Sequence, residues 1–161
     1  MSKRKGLPPI APAGGAGFPE MAPGRDDMAM GFVAFLGRET SKPSDLDVAP
    51  GTSWRDMIVR FIGSPEFSNQ ILPHLVQGTV PRHGNTVASE QLPALATWLA
   101  RIVRGPGCPG ADDLAAAPSW PAMLAAWLGN RMMIPLICPT PGTTDREVTA
   151  AWALDELVKK V

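Results

Sequence analysis

The chain of 161 residues has the length of one domain, and its formal charge of zero at pH 7 argues against a general basic groove for nucleic acid. Apolar residues make up 45% of the sequence, which is enough for a core. It has neither a run of 18 apolar residues nor the apolar core of a signal peptide, so we expect a cytoplasmic protein without a membrane span. The two cysteines, Cys108 and Cys138, fit a reducing compartment, although they could also form one disulfide.

The N-terminal segment differs in composition from the rest of the chain. Residues 1–25 are rich in Pro, Gly and Ala and show no helical or strand period, so they are predicted to form a disordered tail. Residues 26–161 are predicted to form one helical domain. Its first helix begins near Asp26 or Asp27, either of which can cap it, and ends at Gly37. Its expected buried face consists of Met28, Phe32, Phe35 and Leu36.

Residues 41–50 are predicted to form a loop that contains Asp45 and Asp47. Their DxD spacing is similar to the metal-binding motif of many glycosyltransferases, and a carboxylate pair can bind a cation. However, the pair lies between predicted helices and no hydrophobic strand precedes it. We therefore favour solvated aspartates that orient the next helix start, and we predict no metal and no cofactor.

The stretch of residues 53–67, SWRDMIVRFIGSPEF, predicts one capped helix and the start of another. Ser53 can cap the backbone, and Asp56 lies in the first turn, where the helix dipole favours a carboxylate. Gly63 ends the helix, and Ser64 with Pro65 begins the next one at a changed angle. The apolar stripe of the first helix consists of Trp54, Met57, Ile58, Phe61 and Ile62.

An offset of 66 residues aligns this stretch with SWPAMLAAWLG at residues 119–129. Over residues 30–73 and 96–139, eleven of 44 pairs are identical, where about three are expected by chance. We therefore predict an internal duplication with approximate two-fold symmetry, in which Trp54 and Trp120 are both buried in equivalent places. Unit one covers residues 26–76, a connector residues 77–88 and unit two residues 89–139. The alternative is a chance match of two amphipathic helices with Ser-Trp starts.

The second unit is predicted to be a degenerate copy of the first. Its first helix begins near Ser89 or Pro93 and ends at the Gly- and Pro-rich residues 105–110. After the helix at residues 119–129, Pro135 allows only a short final helix. His74 and His83 show no zinc-binding spacing, so a hydrogen-bonded structural histidine is the favoured interpretation. The buried stripe of the first helix is predicted to be Leu92, Leu95, Leu99, Ile102 and Val103.

A C-terminal helix is predicted at residues 144–161, with Thr144 and Glu147 as a capping box. Val148 and Trp152 lie roughly 100° or more away from the centre of its main apolar stripe. Because one helix cannot turn both faces into a small core, one face is expected to bind a partner, either a second copy of this chain or a following catalytic domain. The hypothetical partner-binding residues are Val148, Trp152 and Leu157. The main stripe consists of Ala151, Leu154, Leu157, Val158 and Val161.

Three charged residues are predicted to form a structural clasp. Arg38, just past the first helix, can satisfy its last carbonyls, and Glu66, in the first turn of a later helix, can pair with an arginine. With Glu39 beside Arg38, these charges would set the angle between helices. A sugar-binding or partner-binding site built from the same charges is the alternative.

The pattern MGFVAFLGRE, a loop, and then GTSWRDMIVRFIGSPEF resembles a bacterial domain of unknown function. That family has a first helix ending in LGRE and a later helix ending in SPEF, and similar helical signatures occur in phycobilisome linker domains. The resemblance covers residues 28–72. The specific residues that carry it are Leu36, Gly37, Arg38, Glu39, Gly51, Ser64, Pro65, Glu66 and Phe67.

The resemblance implies a function, because members of that family occur attached to glycosyltransferases and in surface or polysaccharide-related proteins. We therefore predict an all-α, non-catalytic interaction or accessory module associated with a glycosyltransferase or a polysaccharide-biosynthesis system. The family has no catalytic residues to carry over, so no catalytic residue is predicted. The alternative is the N-terminal part of a glycan-acting enzyme, a glycosyltransferase that uses Asp45, Asp47 and nearby arginines.

Overall fold

The structure is a computed structural model that describes residues 18–19, 21–40, 42–81, 86–103, 108–129 and 145–160. These residues form seven α-helices and no strand, which confirms the predicted all-α class. Short 3₁₀ turns cover Pro43–Leu46 and Ser89–Gln91. The helices are α1 (Arg25–Leu36), α2 (Trp54–Ile62), α3 (Leu72–Gln77), α4 (Leu92–Ile102), α5 (Ala111–Ala115), α6 (Trp120–Leu128) and α7 (Asp145–Lys160).

One hydrophobic core joins all seven helices. The predicted buried faces of α1, α2 and α4 are confirmed, because every residue assigned to them is buried. Helix α2 lies between α1 and α7, and α6 contacts α3, α4, α5 and α7. Helix α5 was not predicted, since its five residues carry one buried side chain, Leu114, and are too few to show a period.

The start of α1 differs from the prediction. The N-cap is Gly24, and the carboxylate of Asp27 accepts a hydrogen bond from the Gly24 N–H at 2.9 Å. Asp27 therefore acts from the third helical position rather than as the cap. Contacts with the core also begin before residue 26, because Phe18 packs against it and the Trp54 indole N–H donates to the Met21 carbonyl at 2.7 Å. Residues 1–17 of the predicted tail lie outside the described residues.

Two buried tryptophans of α6 donate hydrogen bonds to carbonyl groups at the C-terminal ends of other helices. The last four carbonyls of a helix have no partner within it. Trp120 donates its indole N–H to the Ala34 carbonyl in the last turn of α1 at 2.7 Å. Trp127 does the same for the Leu99 carbonyl of α4 at 3.1 Å. Both bonds are buried, so α6 fixes the ends of α1 and α4 by hydrogen bonding as well as by packing.

The SPEF stretch forms a helix start as predicted, with one difference. Ser64 Oγ accepts a hydrogen bond from the Phe67 N–H at 3.2 Å, as a cap does. Residues Phe67–Ile71 then form a π-helical turn before α3. Pro73 has no N–H and its ring clashes with the carbonyl four residues earlier in a regular α-helix. A wider turn immediately before it relieves that conflict.

Helix α7 packs on the bundle through a face that was predicted only in part. Leu154 and Leu157 are buried as expected, but Ala150 and Ala153 are buried where Ala151 was predicted, and Ala151 is half-buried. Thr144, Val161 and the side chain of Val158 lie outside the described residues. The inward face is thus rotated slightly from the predicted stripe.

The helix bounds agree with the proposed duplication only in part, because the offset places α5 on residues 45–49, which contain no α-helix. The offset of 66 residues places α2 on α6 and the end of α1 on the end of α4. Ser53 and Ser119 both cap, and Trp54 and Trp120 are both buried. The hydrogen-bond acceptors of the two indoles differ, however, and residues 104–107 and 130–139 are not described. The duplication and its two-fold symmetry therefore stay predictions.

Candidate functional site

The predicted clasp is present as a two-pronged ion pair between Arg38 and Glu66. Arg38 Nε and Nη2 donate to the two carboxylate oxygens of Glu66, both at 2.7 Å. The hydrogen bonds to Glu66 raise the pKa of Arg38 above its ordinary value. The guanidinium also lies 5.3 Å from the centre of the Phe32 ring. This arrangement ties the end of α1 to the turn that precedes α3.

Glu39 has a smaller part in the clasp than predicted. Its side chain is exposed, and its backbone carbonyl accepts from Arg38 Nη1 at 3.3 Å. Arg38 and Glu66 satisfy each other's charges in the bidentate geometry that suits a guanidinium and a carboxylate. The contacts therefore support a structural role for this pair.

Asp45 and Asp47 each have a local partner in the protein. The Asp45 carboxylate accepts from Thr40 Oγ1 at 2.8 Å, and Asp47 pairs with Arg25 at the start of α1. Within the described ranges, no group of three or more His, Cys, Asp or Glu side chains could hold a metal ion. Asp47 therefore fixes the loop against α1, whereas Asp45 forms a contact between the loop and the residue just before it.

A shallow groove of about 430 Å³ lies between α2, residues 47–52 and the start of α7. Arg55 bridges its two sides, donating to Glu147 at 2.8 Å and lying 3.8 Å from Asp56. The Arg55 Nε atom is buried without a hydrogen-bond partner. Arg60 and Arg146 also line the groove, but three carboxylates offset the three arginines, so its charge favours neither anions nor cations.

Helix α7 approaches the end of α2 closely at Gly63. A Cβ atom on Gly63 would lie 2.3 Å from the Arg146 carbonyl oxygen. Gly63 was predicted only as a helix stop, so the sequence analysis missed its second role as the contact point for α7. The Arg55–Glu147 ion pair was missed as well, because its residues are 92 positions apart.

Asp27 forms a further polar contact that the sequence analysis missed. One of its carboxylate oxygens accepts from the Trp98 indole at 3.0 Å and from Arg101 at 3.1 Å. Trp98 and Arg101 lie one turn apart on the same face of α4, and this spacing is the sequence feature that could have indicated a shared polar partner. This contact joins α1 to α4 and supports packing rather than catalysis.

The predicted partner-binding residues do not share one face. Val148 and Trp152 are 55% and 51% exposed, whereas Leu157 is 2% exposed and belongs to the core. Including Leu157 in the partner site was therefore wrong, because the inward face of α7 carries it. Met21 and Val80 are the other exposed large apolar residues in the described part of the chain. Val148 and Trp152 are one turn apart on the same helix.

The remaining candidate residues have local explanations. His74 Nδ1 lies 2.7 Å from Thr79 Oγ1, which agrees with a hydrogen-bonded structural histidine. Cys108 is a free, half-buried thiol, and burial raises its pKa, so it is less reactive at neutral pH than an exposed cysteine. His83 and Cys138 lie outside the described residues.

Comparison with models of protein families, with curated proteins and with solved structures finds no match to this chain. The resemblance to the LGRE and SPEF family therefore stays a prediction. Among the helices that the structure describes, none combines the length and the apolar character required to cross a bilayer.

Proposed function

We propose that the protein is a non-catalytic interaction module whose binding surface is the exposed face of α7 around Val148 and Trp152. The observation that carries the proposal is the exposure of two large apolar side chains one turn apart, on a helix whose other face is buried. Tryptophan contributes more binding energy at protein interfaces than most residues do. The ion pair Arg55–Glu147 supports the same role, because it joins α2 to the turn of α7 that carries Val148.

The setting of the module follows from the sequence resemblance. We propose that it acts in the cytoplasm and joins a glycosyltransferase or another enzyme of polysaccharide synthesis to a protein partner. A glycosyltransferase activity within this chain has less support, because Asp45 and Asp47 are each engaged by a neighbouring side chain.

A photo-crosslinking amino acid placed at position 152, in the cells that naturally produce the protein, tests the proposal. The matched control carries the same amino acid at Glu90, an exposed residue outside α7. We expect position 152, and not position 90, to give a discrete adduct that mass spectrometry identifies as this chain or as an enzyme of glycan synthesis. Equal labelling at the two positions would contradict the proposal.

A further inference from the structure

The exposed side of α7 is a straight seam of five residues. It consists of Asp145, Val148, Trp152, Asp155 and Lys159, all of which are exposed. Their spacing alternates between three and four residues, the spacing that places side chains in one line for pairing with another helix. The buried residues Ala150, Ala153, Leu154 and Leu157 lie on the other side of the helix.

The charges at the two ends of the seam suit a second, reversed copy of the same helix. Asp145 precedes Trp152 by seven residues and Lys159 follows it by seven. Two copies of α7 that pair antiparallel about a two-fold axis at Trp152 therefore place each Asp145 opposite Lys159 of the other copy. Such an interface is isologous, the usual form in a two-fold dimer. A parallel pairing would instead oppose like charges at both ends.

The ammonium group of Lys159 can make the additional contact. It already bonds to Asp155 at 3.2 Å and to Glu156 at 3.3 Å within its own helix. A lysine ammonium has three N–H donors, so one is left for the carboxylate of Asp145 in the second copy. The side chain of Lys159 is 65% exposed, which leaves it accessible.

We propose that a second copy of this chain covers the α7 seam, with Trp152 against Trp152 and two Asp145–Lys159 ion pairs at the ends. This inference rests on the proposed function and names the partner at the same surface. A 16-residue helix is about 24 Å long, so one such contact is smaller than the roughly 800 Å² per partner of a standard interface. The dimer is therefore weak, and a module attached to an enzyme would bring two enzymes together only when they are concentrated.

Exchanging the charges of Asp145 and Lys159 tests this arrangement. Dimerisation of each variant is measured by sedimentation velocity at micromolar to near-millimolar concentrations. Asp145→Lys and Lys159→Asp should each weaken dimerisation roughly tenfold, because each removes both ion pairs and opposes like charges. The double variant should return to within about threefold of the wild type, since it restores both pairs in reverse. Trp152→Gln should abolish the dimer, and raised salt should weaken it.

Circular dichroism on each variant separates loss of pairing from loss of folding. A wild type that stays monomeric at the highest concentration would overturn the proposal, as would a double variant no better than the single ones. If the chain is monomeric but position 152 still crosslinks to a glycan-synthesis enzyme, only the self-pairing is refuted and the proposed function stands. If the chain is monomeric and position 152 gives no specific adduct, the self-pairing and the proposed function are both refuted.

Discussion

At the scale of single residues, the five tryptophans divide into two groups by burial. Trp54, Trp98, Trp120 and Trp127 are buried, and each donates a hydrogen bond to a group on another part of the chain. A buried indole loses stability if its N–H has no acceptor, so these bonds specify orientation as well as contact. Trp152 is half exposed.

Replacement of the two tryptophans at the helix starts tests their burial. Trp54→Ala and Trp120→Ala should each lower the free energy of unfolding by about 3–5 kcal/mol, as truncation of a core aromatic does. Trp120→Phe should cost about 1–3 kcal/mol, because it keeps most of the packing but leaves the Ala34 carbonyl without its donor. Urea titration measures both. A loss below about 1 kcal/mol for either alanine variant would contradict the packing described.

The Arg38–Glu66 clasp makes a separate residue-scale prediction. A double-mutant cycle with Arg38→Ala and Glu66→Ala should give a coupling energy of about 1 kcal/mol, because the pair is bidentate but only partly buried. Arg38→Lys should recover less than half of it, since lysine cannot form both bonds. Glu39→Ala, the control, should change stability by less than about 0.5 kcal/mol. Additive effects at Arg38 and Glu66 would show that the clasp contributes nothing.

At the scale of elements, α7 is positioned by contacts with α2 that lie far apart in the sequence. Gly63 permits the backbone of α7 to approach, and Arg55 holds Glu147. Local patterns predicted α1, α2 and α4 with their buried faces, because period, caps and breakers act within a few residues. The same patterns did not show that Leu157 and not Trp152 faces the core, because that choice depends on what α2, α3 and α6 present to α7.

Adding a methyl group at Gly63 tests this contact. Gly63→Ala should destabilise the protein by at least about 2 kcal/mol and speed amide hydrogen exchange in α7, because the new Cβ would clash with the Arg146 carbonyl. Gly51→Ala is the matched control. Gly51 has a φ of 86° but nothing within 4 Å of its Cβ position, so that change should cost only the backbone strain of about 1 kcal/mol. The close approach would be refuted if Gly63→Ala and Gly51→Ala lost equal stability and neither sped amide hydrogen exchange in α7.

At the scale of the whole molecule, the fold buries most of its large apolar residues in one core. Among the described residues, four large apolar side chains are exposed, and two of them, Val148 and Trp152, lie together on α7. The sequence predicted the fold class because helical periods recur along the chain. It also indicated that α7 has a second apolar face. It indicated the Arg38–Glu66 clasp, but it could not show that Asp47 pairs with Arg25 at the start of α1, because that pairing depends on the tertiary structure.

The central claim is that Trp152 serves binding and not folding, and the free energy of unfolding of Trp152→Gln tests it most directly. Because Trp152 is half exposed and glutamine favours helix, the variant should stay within about 1 kcal/mol of the wild type. Leu157→Gln, five residues further along on nearly the opposite face, should lose more than about 2 kcal/mol because it buries a polar group in the core. A loss at Trp152 as large as the loss at Leu157 would contradict the claim.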